Sequence, residues 1–172
     1  MQVPADAPDD AALESSVRGV LDSLGVDYEW MPCDPDFADT AAFCEHYGVS
    51  PDISANTIVV ASRRGPQTYC ACVVLATTRL DVNNVVRRLM NVPKASFAAA
   101  EETAQLTGMR IGGVAPFGLP SDMPLYIDAA VMQRDAVVTG AGSRSAKLKV
   151  APDALRRLPN ATVVEGLAAP RQ

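Results

Sequence analysis

Aromatic residues are scarce in this chain, and histidine is almost missing. Phe, Trp and Tyr make up 5% of the 172 residues, and His46 is the single histidine. A core built from such a sequence rests on Val, Leu, Ile and Ala. One histidine, with no C-x-x-C spacing among Cys33, Cys44, Cys70 and Cys72, argues against a zinc site. No apolar run approaches the length of a membrane span. The first ten residues, MQVPADAPDD, have neither the basic nor the apolar part of a secretory leader. A cytoplasmic location is therefore expected, with buried, reduced thiols and no disulfides. The usual catalytic signatures are missing as well. There is no H-E-x-x-H, no Walker A loop and no G-x-S-x-G. Gly140-Ala141-Gly142 lacks the third glycine of a dinucleotide loop. His46 has no evident Ser or Cys partner, which leaves a nucleophile–histidine hydrolase with little support.

What is present is enough for one domain. Hydrophobic residues reach 48%, so the chain can bury a full core without disulfides or metals. The reading is a tail over 1–9, a single domain over 10–167 and a short tail over 168–172. The net charge of −5 is unevenly spread. Residues 1–60 carry twelve acids and one base, whereas the remainder carries fourteen bases and eight acids. Such asymmetry either builds a local positive face or only decorates solvated surfaces.

Leu13, Val17, Val20, Leu21 and Leu24 recur at helical spacing, with Gly25 placed to end the helix. A strand is predicted over Val26–Met31, a loop over 32–39 and a short helix over Thr40–Tyr47, closed by Gly48. Asn56–Ser62 and Thr68–Ala76 read as a β-hairpin. Cys70 and Cys72 then share one face. Asp81 caps a helix in which Val82, Val85, Val86 and Leu89 form one stripe. Ala95–Phe97 is a short strand and Glu101–Leu106 a short helix ended by Gly108. Strands follow over Leu125–Asp128, Ala136–Thr139 and Ala146–Val150, then a helix over Pro152–Leu158 and a last strand over Ala161–Glu165. Many strands with dispersed short helices indicate a mixed α/β (α+β) fold.

The stretch Ile111–Pro120, IGGVAPFGLP, holds three glycines and two prolines in ten residues. Prolines stiffen such a loop, and glycines let backbone N–H groups approach a ligand oxygen. It is either a binding floor or a rigid connection.

Taken in order, NTIVV, TYCACVVLA, VNNVVRRLM, AEETAQLTG leading into IGGVAPFGLP, LYID and VVTGAGSRSAKLKV resemble the YbaK/prolyl-tRNA synthetase-associated editing domain family. The likeness runs over roughly residues 11–165, and its most specific part is the run L-T-G-x-x-x-G-G-V-x-P-F-G. The resemblance implies a partly closed mixed sheet with surrounding helices. It implies a deacylase acting in trans on mischarged aminoacyl-tRNA, of the Cys- or Ala-tRNA(Pro) type, with no metal or organic cofactor. The partners implied are the aminoacylated 3′ end of tRNA and prolyl-tRNA synthetase, with no membrane and no DNA. Asn56, Thr57, Gly112 and Gly113 then take the catalytic positions. Val114, Pro116, Phe117, Gly118, Asp128, Gly142 and Arg144 take the substrate-binding ones. Where family members carry a lysine at the start of the NTIVV strand, this chain has Asn56. Asn hydrogen-bonds but brings no charge. Either Asn56 orients the substrate for a different preference or rate, or the protein binds without turnover. Arg63, Arg64, Arg79, Arg87, Arg88, Arg110, Arg144, Lys147 and Lys149 are the basic residues expected to meet phosphates.

Overall fold

The computed structural model describes residues 9–171. The tail expected over 1–9 thus lies outside the described residues except for Asp9. Asp9 caps helix α1 (Asp10–Leu24) by accepting from Ala12 N–H, and Gly25 closes that helix in the left-handed conformation. Leu13, Val17 and Leu21 form its buried stripe. Strand β1 (Tyr28–Pro32) follows. Helix α2 (Thr40–Tyr47), then β2 (Ala55–Ser62) and β3 (Tyr69–Leu75), lie where the pattern places them. His46 stacks on Phe37 with centroids 3.8 Å apart, as part of an aromatic cluster with Tyr47.

Strand β4 (Thr78–Leu80) leads into the segment capped by Asp81. Here a single stripe was expected, and the structure differs. Val82–Val86 forms a π-helical turn before helix α3 (Arg87–Met90), with Val86 N–H donating to the Asp81 carbonyl. The wider turn shifts the phase of all that follows. Val82 and Val86 stay buried while Leu89 rotates outward. Strand β5 (Ala95–Phe97), helix α4 (Ala100–Thr107), strands β6 (Leu125–Asp128), β7 (Val137–Gly140) and β8 (Ala146–Val150), helix α5 (Asp153–Arg156) and strand β9 (Ala161–Val164) complete the expected set. A further strand, β10 (Ala168–Pro170), replaces the start of the expected C-terminal tail. It pairs antiparallel with β4. Its composition, AAP, has no β signal, so only the free edge of β4 determines it.

A five-stranded mixed sheet has the order β5-β2-β3-β6-β9, and a three-stranded antiparallel sheet the order β1-β8-β7. The bridge Ser54–Val138 ties one to the other and partly closes the structure. Strand β3 is covered on both faces. Ala71, Val73 and Leu75 face the main core with α1 and β6. Cys70, Cys72 and Val74 face a second cluster with Val86 and Leu167. A strand buried twice must be apolar throughout, which is why YCACVVL shows no alternation. All four cysteines are buried and unpaired.

Candidate active site

Beyond the Ser54–Val138 bridge, β2 has no strand on the side opposite β3, because β5 joins it only from Val60 onward. A strand's hydrogen bonds alternate between its two sides. The Ser54 carbonyl accepts from Ala76 on the β3 side, and the Val59 carbonyl accepts from Ala98 on the other. The backbone of Thr57 falls in step with Val59 and so faces the open edge.

The loop over 111–114 lies across this edge. Between them is a cleft of about 270 Å³, walled by Thr40, Asn56, Thr57, Gly112, Val114 and Lys147 among others. Glycine permits the close approach. The Gly142 N–H donates to the Gly113 carbonyl at 2.7 Å, and a Cβ on Gly113 would overlap the Ser143 carbonyl. Gly112 has φ of +87°, a conformation that favours glycine. The guanidinium of Arg144 occupies the place its Cβ would take.

Several polar groups of the walls have no protein partner. The Thr57 hydroxyl is buried without a hydrogen bond, which costs about 1–3 kcal/mol unless a ligand or water satisfies it. Among the described residues the N–H groups of Gly112 and Val114 donate to no protein acceptor. Asn56 Oδ1 accepts from the Thr40 hydroxyl at 2.8 Å. That pair also borders a second hollow of about 550 Å³ on the far side, which includes Cys44 and Ala76.

Lys147 enters from β8. Ala146, Leu148 and Val150 pack into the main core, so the alternation of the strand sends Lys147 to the opposite face. That face lies under α2. Lys147 is only 8% exposed. Its Nζ donates to the Gly112 carbonyl and stands 5.8 Å from the Phe43 ring centroid. No carboxylate pairs with it among the described residues. Burial lowers its pKa from the ordinary lysine value; Arg144 adds to the effect, and Cys33 and Asp39 oppose it. Among the described residues no carboxylate, imidazole or thiol lines the cleft. It is a donor-rich hollow in which no histidine or carboxylate stands by to activate a hydroxyl, and it is suited to holding and polarising a carbonyl oxygen.

The model of the aminoacyl-tRNA editing domain matches residues 34–158, a span that contains every wall of this cleft. The chain belongs to the aminoacyl-tRNA editing domain family. Over 131 residues it is 24% identical to the Enterococcus faecalis protein named "Putative Cys-tRNA(Pro)/Cys-tRNA(Cys) deacylase EbsC", covering 76% of this chain and 77% of that one. Over 62 residues it is 36% identical to "Uncharacterized protein YwhH" of Bacillus subtilis, and there the match spans 36% of this chain and 40% of that relative. A solved structure titled as a putative trans-editing enzyme for prolyl tRNA synthetase superposes with a TM-score of 0.73 at 23% identity, covering 96% of this chain and 98% of that one. At that identity the likeness speaks for the fold.

Within the editing domain, the structure gathers only part of the residue set read from the sequence. Asn56, Thr57, Gly112 and Val114 line the cleft. Gly113 stands directly behind, buried against Ser143. Pro116 is buried and Phe117 is fully enclosed in the main core. The loop turns inward after Val114, so these two are core residues and not walls. Gly142 packs closely on Leu13 and Val17 of α1, where its missing Cβ lets the helix approach, whereas Gly118 also faces Val17 but answers to its positive φ of +93°. Asp128 is buried at the end of β6, away from the cleft, and its carboxylate takes backbone hydrogen bonds from Ala168, Leu167 and Ala129. It holds the β10 segment. Burial raises its pKa against the pull of those bonds. Arg144 lies behind the loop as a clip, donating to Asp39 Oδ1 at 3.0 Å, to the Ile111 carbonyl at 2.9 Å and to the Pro35 carbonyl at 2.8 Å.

Thr40 and Lys147 are the polar side chains of the cleft that sequence reading did not place there, and the apolar walls Ile58 and Val59 were also not named as site residues. In the sequence Lys147 stands only among the basic residues expected to meet phosphates, and A-K-L-K-V alternates like a half-exposed strand. Only the covering of its second face by α2 turns that position into a buried one.

Proposed function

We propose that the cleft binds the acyl ester at the 3′ end of an aminoacyl-tRNA and hydrolyses it in trans. The observation that carries this reading is the set of unsatisfied donors at one place. The Thr57 hydroxyl and the N–H groups of Gly112 and Val114 stand around a cleft of about 270 Å³ without protein partners among the described residues. An ester is already electrophilic. Fixed dipoles around its carbonyl oxygen, with water held nearby, supply most of the activation it needs.

Two hollows meet at the Thr40–Asn56 hydrogen bond. A substrate with an acyl part and a ribose part joined by an ester fits such a pair, with the ester crossing beside Asn56. The relative's printed name points to cysteinyl-tRNA as the first substrate to try. Phosphates would meet cations that form no ion pair among the described residues, such as Arg79 and Arg171 around a groove of about 620 Å³, which Asp81 also lines. Arg63, Arg110 and Arg144 are less available, because each pairs with an acid.

The test is deacylation of a panel of charged tRNAs that includes Cys- and Ala-tRNA(Pro), measured against the buffer rate. The expected result is accelerated release of at least one amino acid. No release above buffer from any of them, combined with saturable binding of a non-hydrolysable aminoacyl-adenosine amide, would make the protein a binder without turnover.

A further inference from the structure

Buried lysines are rare unless paired. An ammonium taken out of water costs several kcal/mol unless something compensates it. Lys147 receives one neutral carbonyl, that of Gly112, and no carboxylate. An ammonium has three donors. One is used on Gly112, and among the described residues no hydrogen bond to another protein acceptor uses the other two. The same side chain lines the cleft together with Asn56 and Thr57. The site thus holds a positive charge with spare donors beside the groups that await a ligand oxygen. A purely structural tether for Gly112 would not need a full charge in so enclosed a place; a neutral amide or hydroxyl would serve with less desolvation.

We infer that Lys147 is a catalytic residue whose ammonium contacts the acyl carbonyl oxygen of the bound ester and stabilises the negative charge that develops there. This rests on the deacylase reading above. A water oxygen bonds to the acyl carbon while the carbonyl π pair moves onto its oxygen. The tetrahedral oxyanion collapses, the bond to the ribose oxygen breaks, and the proton lost by the attacking water ends on that ribose oxygen. The products are the free amino acid and the deacylated terminal hydroxyl. Lys147 remains protonated throughout. The cleft therefore selects ligands with a carbonyl or oxyanion at the depth of Gly112, and Asn56, which has no charge, is left to orient the ester through its amide.

The groups facing Lys147 bear on its proton. Arg144 comes from the β7–β8 turn, Asp39 from the start of α2, Cys33 from the end of β1 and Cys44 from α2. Burial and Arg144 make the ammonium easier to deprotonate than an ordinary lysine. Deacylation above the buffer rate then falls as pH rises through a pKa below about 10.4.

The experiment compares wild type, Lys147→Met and Lys147→Met/Asn56→Lys on the tRNA that wild type deacylates best. Circular dichroism and melting confirm the fold, and Lys147→Gln replaces Lys147→Met if the latter does not fold. Expected are a fall in kcat on the order of 100-fold, a KM changed much less, loss of the alkaline limb of the pH profile, and at least tenfold recovery when Asn56→Lys returns a cation to the cleft. A folded Lys147→Met with kcat within threefold of wild type overturns the assignment and leaves the deacylase reading intact. A parallel fall in kcat without loss of the alkaline limb and without recovery by Asn56→Lys also overturns it, in favour of a tether for Gly112. Wild type inactive on every charged tRNA removes the deacylase reading itself, and this assignment with it.

Discussion

Thr57 shows how a single side chain can be poor for folding and useful for binding. Its hydroxyl is the buried side-chain group without a partner among the described residues. Valine has nearly the same shape and no hydroxyl to satisfy. Thr57→Val is therefore expected to leave the melting temperature unchanged or raise stability by up to about 1 kcal/mol, since an unpaired buried polar group costs about 1–3 kcal/mol. The same change is expected to lower kcat/KM for deacylation by about tenfold. Thermal denaturation and single-turnover assays on one preparation check both halves. A less stable but fully active variant would assign the hydroxyl to the fold instead. Asn56 is a contrasting case, because its Oδ1 is already engaged by Thr40. Its identity was plain from the NTIVV strand, but its partner sits 16 positions earlier, at the start of a helix.

At the scale of elements, the glycine loop is held as a unit. Arg144 reaches three oxygens, on Asp39, Ile111 and Pro35. The Gly142 N–H fixes Gly113 from the same turn. Arg144→Ala is expected to cost about 1–2 kcal/mol, less than the full value of hydrogen bonds to a charged group because the side chain is 32% exposed. More diagnostic is amide hydrogen exchange. Protection of the Gly113 and Gly142 N–H groups should fall in this variant, while that of β3 stays at the global level. Cleft activity should fall with loop order, through a raised KM. Unchanged exchange at Gly113 and Gly142 would show that the loop stands without its clip. The sequence showed a stiff, glycine-opened loop, and it is one. It did not show that Pro116, Phe117, Gly118 and Gly142 serve the packing behind the cleft, or that Asp128 faces the β10 segment instead. A buried Phe and a cleft-lining Phe have the same letter, and the direction of the chain after Val114 decides between them.

Across the whole molecule, folding brings the two unevenly charged parts of the chain together at three ion pairs. Arg110 pairs with Asp10, Arg134 with Asp52 and Arg144 with Asp39, each joining the acidic N-terminal part to the basic remainder. A positive face inferred from the linear count is thereby reduced, and the cations left without acids become the informative ones. Titration also acts at this scale. Burial raises the pKa of the Cys33 and Cys44 thiols. A hydrogen bond with Cys70, together with burial, raises that of Cys72. Burial raises that of the Tyr126 phenol. For such groups the ionised form is favoured in the unfolded chain. Their stabilisation is complete below the unfolded values, which begin at about 8.5 for thiols, and is lost as pH rises through the folded ones. Lys147 acts in the opposite sense, because its lowered pKa makes stability rise with pH in its own window. The melting temperature is expected to drop between pH 8 and pH 10, and to drop more steeply in Lys147→Met. A flat profile over that range would contradict the burial of the thiols.

By itself the sequence determined the elements that depend on local chemistry. Apolar spacing and Gly25 set α1, β-branched runs set the β2–β3 hairpin, and Gly48 and Gly108 set the ends of α2 and α4. These signals are short-range, so they are readable in one dimension. The order of LTG, IGGVAPFG and the flanking strands likewise pointed to the family. Tertiary structure decided the rest. It made a strand of Ala168–Pro170 by offering the edge of β4, turned Asp128 toward that strand, and put α2 over the second face of β8. In that last placement Lys147 changes from a surface cation into a buried one beside Asn56 and Thr57. Burial is a property of what covers a residue, and the cover over Lys147 comes from a helix about a hundred positions away in the chain.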